Sequence, residues 1–175
     1  ASLRVEPIAG ALGAEITAWD AAGDECLRET RTVGFRRVEW KPCEGAPDGA
    51  APWLCVVNGE PVFLGGANWV PARLAHLDAT AEDHELLVGR YRDMGCTVLR
   101  VWGGAGLGDR SFYEACDRAG IFVWQEFPLS SSGIENTPPS DPEAVARLEK
   151  IAVSYARRRA NHPSLLLWCG GNELY

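Results

Sequence analysis

The chain has 175 residues, 46% apolar and 23% charged, with a formal net charge of -7. That length and balance suit a globular chain with a sizeable core, one ordinary domain or a small one plus part of another. The acidic surplus excludes a nucleic-acid-binding face, and no apolar run approaches the roughly 20 residues that cross a membrane as a helix.

Residues 1–40 alternate in short period-two runs: Leu3, Val5 and Ile8, then Ala14, Ile16 and Ala18, then Thr32 to Trp40. With turns such as Ala22-Gly23-Asp24 between them, these runs predict antiparallel strands of a partial β-sandwich. Residues 41–60 read as a linker and a hairpin: a Pro- and Gly-rich loop, then Asn58-Gly59 between Leu54–Val57 and Val62–Leu64. From residue 61 to 175 the texture changes. Strands are expected at 62–68, 97–102, 121–126 and 164–170. Between them come a helix opened by Thr80 and stopped by Gly95, a second opened by Asp109 and stopped by Gly120, and a third from about 143 to 160. On the first of these helices Leu86, Leu87, Tyr91 and Met94 are expected to share one face. Strand and helix in strict alternation predict a parallel sheet, and four such strands are half of an eight-stranded α/β barrel.

Six cysteines show no C-x-x-C pairing, and three lie in apolar segments, which points to reduced, non-metal roles. Asp83-His84-Glu85 is read on the exterior of a helix, with no second histidine at ligand spacing, so no metal or other cofactor is expected. Seven tryptophans are many for this length and suit walls for sugar rings as well as a core. The run Gly103-Gly104-Ala105-Gly106-Leu107-Gly108 lacks the Lys-Ser/Thr of a phosphate loop. Asp109 also puts a negative charge where a phosphate would bind. These glycines are expected to let the backbone pass close to a substrate or a neighbouring loop.

Chemistry in a parallel α/β fold collects at the carboxyl ends of the strands. Those ends carry Asn68 and Trp69, Arg100 and Trp102, Gln125 and Glu126 (with Trp124 before them), and finally Asn172 and Glu173. The last pair follows an apolar run, Leu165 to Trp168, and two glycines. Four polar or aromatic ends converging on one basin predict an active site with Glu173 as its acid.

The runs Gly66-Ala67-Asn68-Trp69-Val70-Pro71, Leu99-Arg100-Val101-Trp102-Gly103-Gly104, Val123-Trp124-Gln125 and His162 to Glu173 carry a resemblance. Residues 61–173 resemble the catalytic barrel of glycoside hydrolase family 2, and within it the β-mannosidase branch. Thr32-Val33-Gly34-Phe35-Arg36 resembles the last strand of the immunoglobulin-like domain that precedes that barrel. The resemblance implies a retaining exo-β-glycosidase with a carbohydrate substrate, probed at Arg100, Asn68, Trp69, Trp102, Trp124 and Gln125. It makes Glu173 the general acid/base and sets Asn172 on the sugar's 2-hydroxyl. The nucleophile is expected from a later strand, about 5 to 5.5 Å from the acid. The chain therefore reads as an excised piece that needs the remaining domains of the same protein and is inactive alone.

Two places depart from the mannosidase-like pattern. Cys169-Gly170-Gly171-Asn172-Glu173 stands where Cys-Gly-Asn-Asn-Glu is usual, and the loop from Phe127 to Gly133 lacks the usual aromatic and alanine-rich character. Other readings are a galactosidase, glucuronidase or glucosaminidase of the same family, and a non-catalytic carbohydrate-binding relative.

Overall fold

The computed structural model describes residues 2–8, 11–73, 75, 78–130 and 136–174, with residues 2–8 and 11–13 given by their backbone. The chain divides into two compact units, residues 1–36 and 37–175.

In the first unit β1 (Ser2–Ile8), β2 (Ala11–Trp19) and β3 (Glu25–Val33) form an antiparallel meander in chain order. The Asp20 carboxylate folds the second turn by accepting the N–H groups of Ala22 and Asp24, each at 2.9 Å. Ala14 and Thr17 are buried, while Ile16, Trp19 and Leu27 remain exposed. The alternation of Leu3, Val5 and Ile8 falls outside the described side chains.

The break between units comes earlier than the expected residue 40. Val38–Lys41, β4, belongs to the second unit because its backbone pairs with β5 (Leu54–Val57). Arg37 and Asn58 bind each other there: the Arg37 N–H reaches Asn58 Oδ1 at 2.8 Å, and the Asn58 N–H reaches the Arg37 carbonyl at 2.9 Å. The hairpin closes onto β6 (Glu60–Val62), with Asn58 at φ 52° and Gly59 at φ 92°. Two consecutive positive φ angles match the right-handed twist of the flanking strands, which is why Asn-Gly marks this turn.

Val62 pairs with Cys55 in that hairpin, so the strand expected at 62–68 is two strands in different sheets. The barrel strand β7 is Gly66–Trp69. A glycine is needed at its start: a Cβ on Gly66 would lie 1.7 Å from the Val98 carbonyl oxygen. Beyond β7 the alternation follows the expected plan. α1 (Ala81–Asp93), β8 (Val98–Val101), α2 (Arg110–Ala119), β9 (Phe122–Glu126), α3 (Pro142–Arg159) and β10 (Leu165–Cys169) follow in turn. Strands β7 to β10 lie parallel and consecutive in one sheet, four successive strands of a β/α barrel. Part of the connection before α3, residues 131–135, falls outside the described residues.

Local chemistry sets the helix ends. Thr80 and Asp83 form a reciprocal capping box at α1. Asp141 accepts the Ala144 N–H at the start of α3, with Pro142 in the first turn. Gly120 ends α2 in the left-handed conformation. The inward line on α1 is His84 and Val88, which are buried, with Leu87 and Tyr91 partly buried; of the expected face, Leu87 and Tyr91 lie on it, whereas Leu86 and Met94 are exposed. His84 is therefore not on the helix exterior. It lies between α1 and α2, its Nδ1 2.8 Å from Ser111 Oγ and its ring against Trp69 and Phe112.

The core of this unit joins Leu99, Val101, Val123 and Leu165, from the outward sides of the strands, to Val88, Phe112, Ala115 and Cys116 of the helices. Burial pushes the Cys116 thiol pKa up, and none of the six cysteines is in a disulfide. Burial also lowers the pKa of His84 below its ordinary 6.5, against the weaker opposing pull of Asp109 and Asp83. The folded state thus resists a proton that the unfolded chain accepts. Stability from a neutral His84 is complete above pH 6.5 and is lost as pH falls from there through the lowered folded value. Urea midpoints across that range are expected to fall less steeply for His84→Gln than for the parent chain.

Candidate active site

Alternation along the strands decides which strand-end residues share a basin. In register, Asn68 stands beside Arg100 and Arg100 beside Trp124. These three face the same side of the sheet, as does Glu126 two residues after Trp124. The residues between them, Trp69, Val101 and Gln125, face the helices.

Arg100 is the centre of the inward set. Its Nε donates to Glu126 Oε1 at 2.7 Å, Nη1 to Asn68 Oδ1 at 2.9 Å, and Nη2 to Asn172 Oδ1 at 2.6 Å. Nη2 also lies 2.5 Å from Glu126 Oε1, and the guanidinium sits over the Trp124 ring, 5.8 Å from its centroid. Glu126 is 1% exposed, and its second oxygen accepts the Gly103 N–H at 2.8 Å. One cation thereby ties together the ends of all four parallel strands. Glu126 was expected at this strand end together with Gln125, but with no role of its own; strand alternation forbids the two from facing the same side, and it is Glu126 that faces the basin.

Gln125 is accordingly not in the basin. It is fully buried, and its amide is consumed by the protein. Oε1 accepts from the Gly108 N–H and the Tyr113 hydroxyl, and Nε2 donates to the Gly106 and Glu126 carbonyls. Burial raises the Tyr113 pKa, which keeps that phenol a donor. Trp69 is likewise core: it is 5% exposed and stacks on Phe112 with ring centroids 4.4 Å apart. Trp168 stacks on Phe127 at 5.2 Å.

The glycine-rich loop after β8 is held by its own neighbours. Its N–H groups at Gly103 and Gly108 are taken by Glu126 and Gln125, those of Ala105 and Gly106 by the carbonyls of Trp102 and Gly103, and Arg159 Nε donates to the Gly108 carbonyl. Trp102 lies on this loop, its indole so close to Gly104 that a Cβ there would fall 2.1 Å from a ring carbon. Among the described residues, no cluster of three His, Cys, Asp or Glu side chains could hold a metal ion.

Asn172 and Glu173 follow β10. Asn172 is buried, held by Arg100 at its side chain and by the Leu129 carbonyl at its N–H, 2.8 Å away. Glu173 is exposed. Its φ of 51° puts it in the left-handed region, and with Asn58 it is one of two non-glycine residues with positive φ among the described residues. That conformation costs a glutamate on the order of 1 kcal/mol, and such strain gathers at functional sites.

A four-stranded parallel sheet with a charged and amide cluster at its carboxyl ends is the architecture of a β/α-barrel active site. Residues 108–175 match the family described as glycosyl hydrolases family 2, TIM barrel domain. Over 149 residues, 84% of this chain, the sequence is 34% identical to a β-mannosidase of Rattus norvegicus, of which it covers 16%. The fold superimposes on a β-D-mannosidase from Dictyoglomus thermophilum at a TM-score of 0.75 and 33% identity, covering 93% of this chain and 19% of that one. A β-glucuronidase of Parabacteroides merdae shares the fold at a TM-score of 0.72 and 21% identity, over 93% of this chain and 18% of that one. The chain belongs to glycoside hydrolase family 2, and it spans about a sixth of the length of the curated relatives it matches.

The Arg100–Glu126 pair gives a direct test. Removing one partner leaves the other charge largely desolvated, so Arg100→Met and Glu126→Ala are each expected to destabilise by about 3 kcal/mol. The double variant is expected to lose clearly less than the sum, with a coupling of at least about 1.5 kcal/mol in a denaturation cycle.

Proposed function

We propose that this chain carries the acid/base side of a retaining exo-β-glycosidase that removes terminal β-mannosides. The carrying observation is the placement of Asn172 and Glu173: a buried amide pinned to Arg100, followed at once by an exposed carboxyl in a left-handed backbone. A glycosidic bond breaks when one carboxyl group protonates the departing oxygen while another attacks or supports the sugar. Glu173 takes the first role. Its partner, the nucleophile, is assigned to the seventh strand of the complete barrel.

The surrounding residues divide the remaining work. Arg100 fixes the direction of the Asn172 amide, which is assigned to the 2-hydroxyl of the sugar. Asn68 and Arg100 supply polar groups to the basin floor, and Trp102 and Trp124 supply apolar faces on which a pyranose ring rests. Trp69 and Gln125 act behind these, by packing and by holding the Gly103–Gly108 loop. The β-mannosidase names of the relatives at 33–34% identity support mannose over glucuronate, since the glucuronidase neighbour at 21% supports the fold alone. Residues 1–36 are assigned to the immunoglobulin-like domain that precedes the barrel.

In the complete protein, Glu173→Gln and Glu173→Ala are expected to lose about 10³-fold or more in kcat/KM on β-mannosides with poor leaving groups, and far less on activated aryl β-mannosides. Azide is expected to restore part of the turnover of Glu173→Ala by replacing the activated water. Equal losses on both substrate classes, without azide rescue, would contradict the acid/base role. Faster turnover of aryl β-glucuronides than of β-mannosides by the parent enzyme would contradict the sugar assignment. Residues 1–175 alone are expected to hydrolyse neither.

A further inference from the structure

Three loops meet at one backbone atom, the Leu129 carbonyl oxygen. It accepts the Asn172 N–H at 2.8 Å. A Cβ built on Gly171 would lie 2.6 Å from that oxygen and 2.7 Å from Leu129 Cβ, and one on Gly103 would lie 2.9 Å from the same oxygen and 2.7 Å from the Phe127 carbonyl. Both distances to oxygen are below any ordinary contact, so the loops after β8 and β10 each present a glycine where this carbonyl enters. The segment that carries it is itself tightly folded. The Phe127 N–H donates to the Cys169 carbonyl at 2.9 Å, and the Leu129 N–H turns back to the Phe127 carbonyl at 2.7 Å. Gly170, one residue before Gly171, would meet nothing within 4 Å.

We propose that the Phe127–Leu129 turn is a positioning device for the Asn172–Glu173 pair, with Gly171 and Gly103 as the residues that admit it. This rests on the assignment of Glu173 as acid/base and adds the residues that aim it. The turn holds the Asn172 backbone from one side while Arg100 holds its side chain from another, so the carboxyl that follows has a fixed origin. It also joins the two departures from the family pattern into one. Leu129 occupies the space that a side chain at position 171 would need, so the unusual loop after β9 and the glycine before Asn172 are a matched pair. A small displacement of a proton donor costs rate without costing ground-state binding.

The test compares Gly171→Ala with Gly170→Ala in the full-length protein, which differ by one position in the same loop. Gly171→Ala is expected to lose at least about tenfold in kcat on a poor-leaving-group β-mannoside and less than about threefold on an activated aryl β-mannoside, with KM little changed. Hydrogen exchange in the segment holding Asn172 is expected to quicken by about tenfold or more. Gly170→Ala is expected to match the parent in both. Because Gly171→Ala adds an atom to a filled site, Pro128→Gly serves as a second variant. It adds nothing, loosens the turn, and is expected to shift exchange and leaving-group selectivity in the same direction. Parent-like exchange and selectivity in both Gly171→Ala and Pro128→Gly would overturn the proposal. Exchange at Asn172 is read without substrate, so it stands or falls separately from the acid/base role, which Glu173→Gln tests.

Discussion

The strand-end residues of the site converge on one guanidinium. Arg100 rises from the middle of the second barrel strand and reaches Asn68, Glu126 and Asn172, one residue from each of the other three strand ends. A cation so far removed from water is costly unless its donors are met. The Glu126 carboxylate meets two of its contacts and is itself completed by the Gly103 N–H. Charge-assisted bonds of 2.5–2.9 Å are directional as well as strong. They therefore fix the geometry of three strand ends and of the loop after β10, which carries Asn172.

Behind this layer, the opposite faces of the same strands do a different task. Leu99, Val101, Val123 and Leu165 pack on Val88, Phe112 and Cys116. Gln125 belongs to this outward face, where it acts as a side-chain bracket for the glycine-rich loop. The division is a consequence of the period of two: each strand supplies core with one set of residues and site with the other. The loops that complete the site then lean on one another, through Leu129 and the two glycines facing it, rather than on the core.

Much of the barrel was legible in the sequence because its signals are local. The Thr80 box, Gly120, the Asn58-Gly59 turn and the apolar runs of β8, β9 and β10 each act within a few residues, and each appears close to its expected place. The start of β7 was not legible, because Val62 to Ala67 reads as one run of apolar and small residues, while its break depends on Thr97 and Val98, distant in sequence. The inner line of α1 was read half correctly: Leu87 and Tyr91 pack inward, while Met94 and Leu86 are apolar yet exposed, because the partner surface of Trp69 and Phe112 selects His84. At the site, Asn172, Arg100 and Asn68 were found from position and chemistry, and the structure brings them together. Trp69 and Gln125 were expected there from their strand-end positions, but strand parity sends them to the core, while Glu126 from the same strand end does face the basin.

Arg100 holds the Asn172 side chain while the Leu129 carbonyl holds its backbone, so Asn172, and Glu173 after it, are set by these two contacts rather than by the sheet itself. A crystal structure of the full-length Arg100→Met variant tests this most directly. Strands β7 to β10 are expected to be unmoved, with the Asn172 side chain rotated away from its present position and Glu173 displaced with it. Asn172 and Glu173 found in their present places without the guanidinium would contradict it.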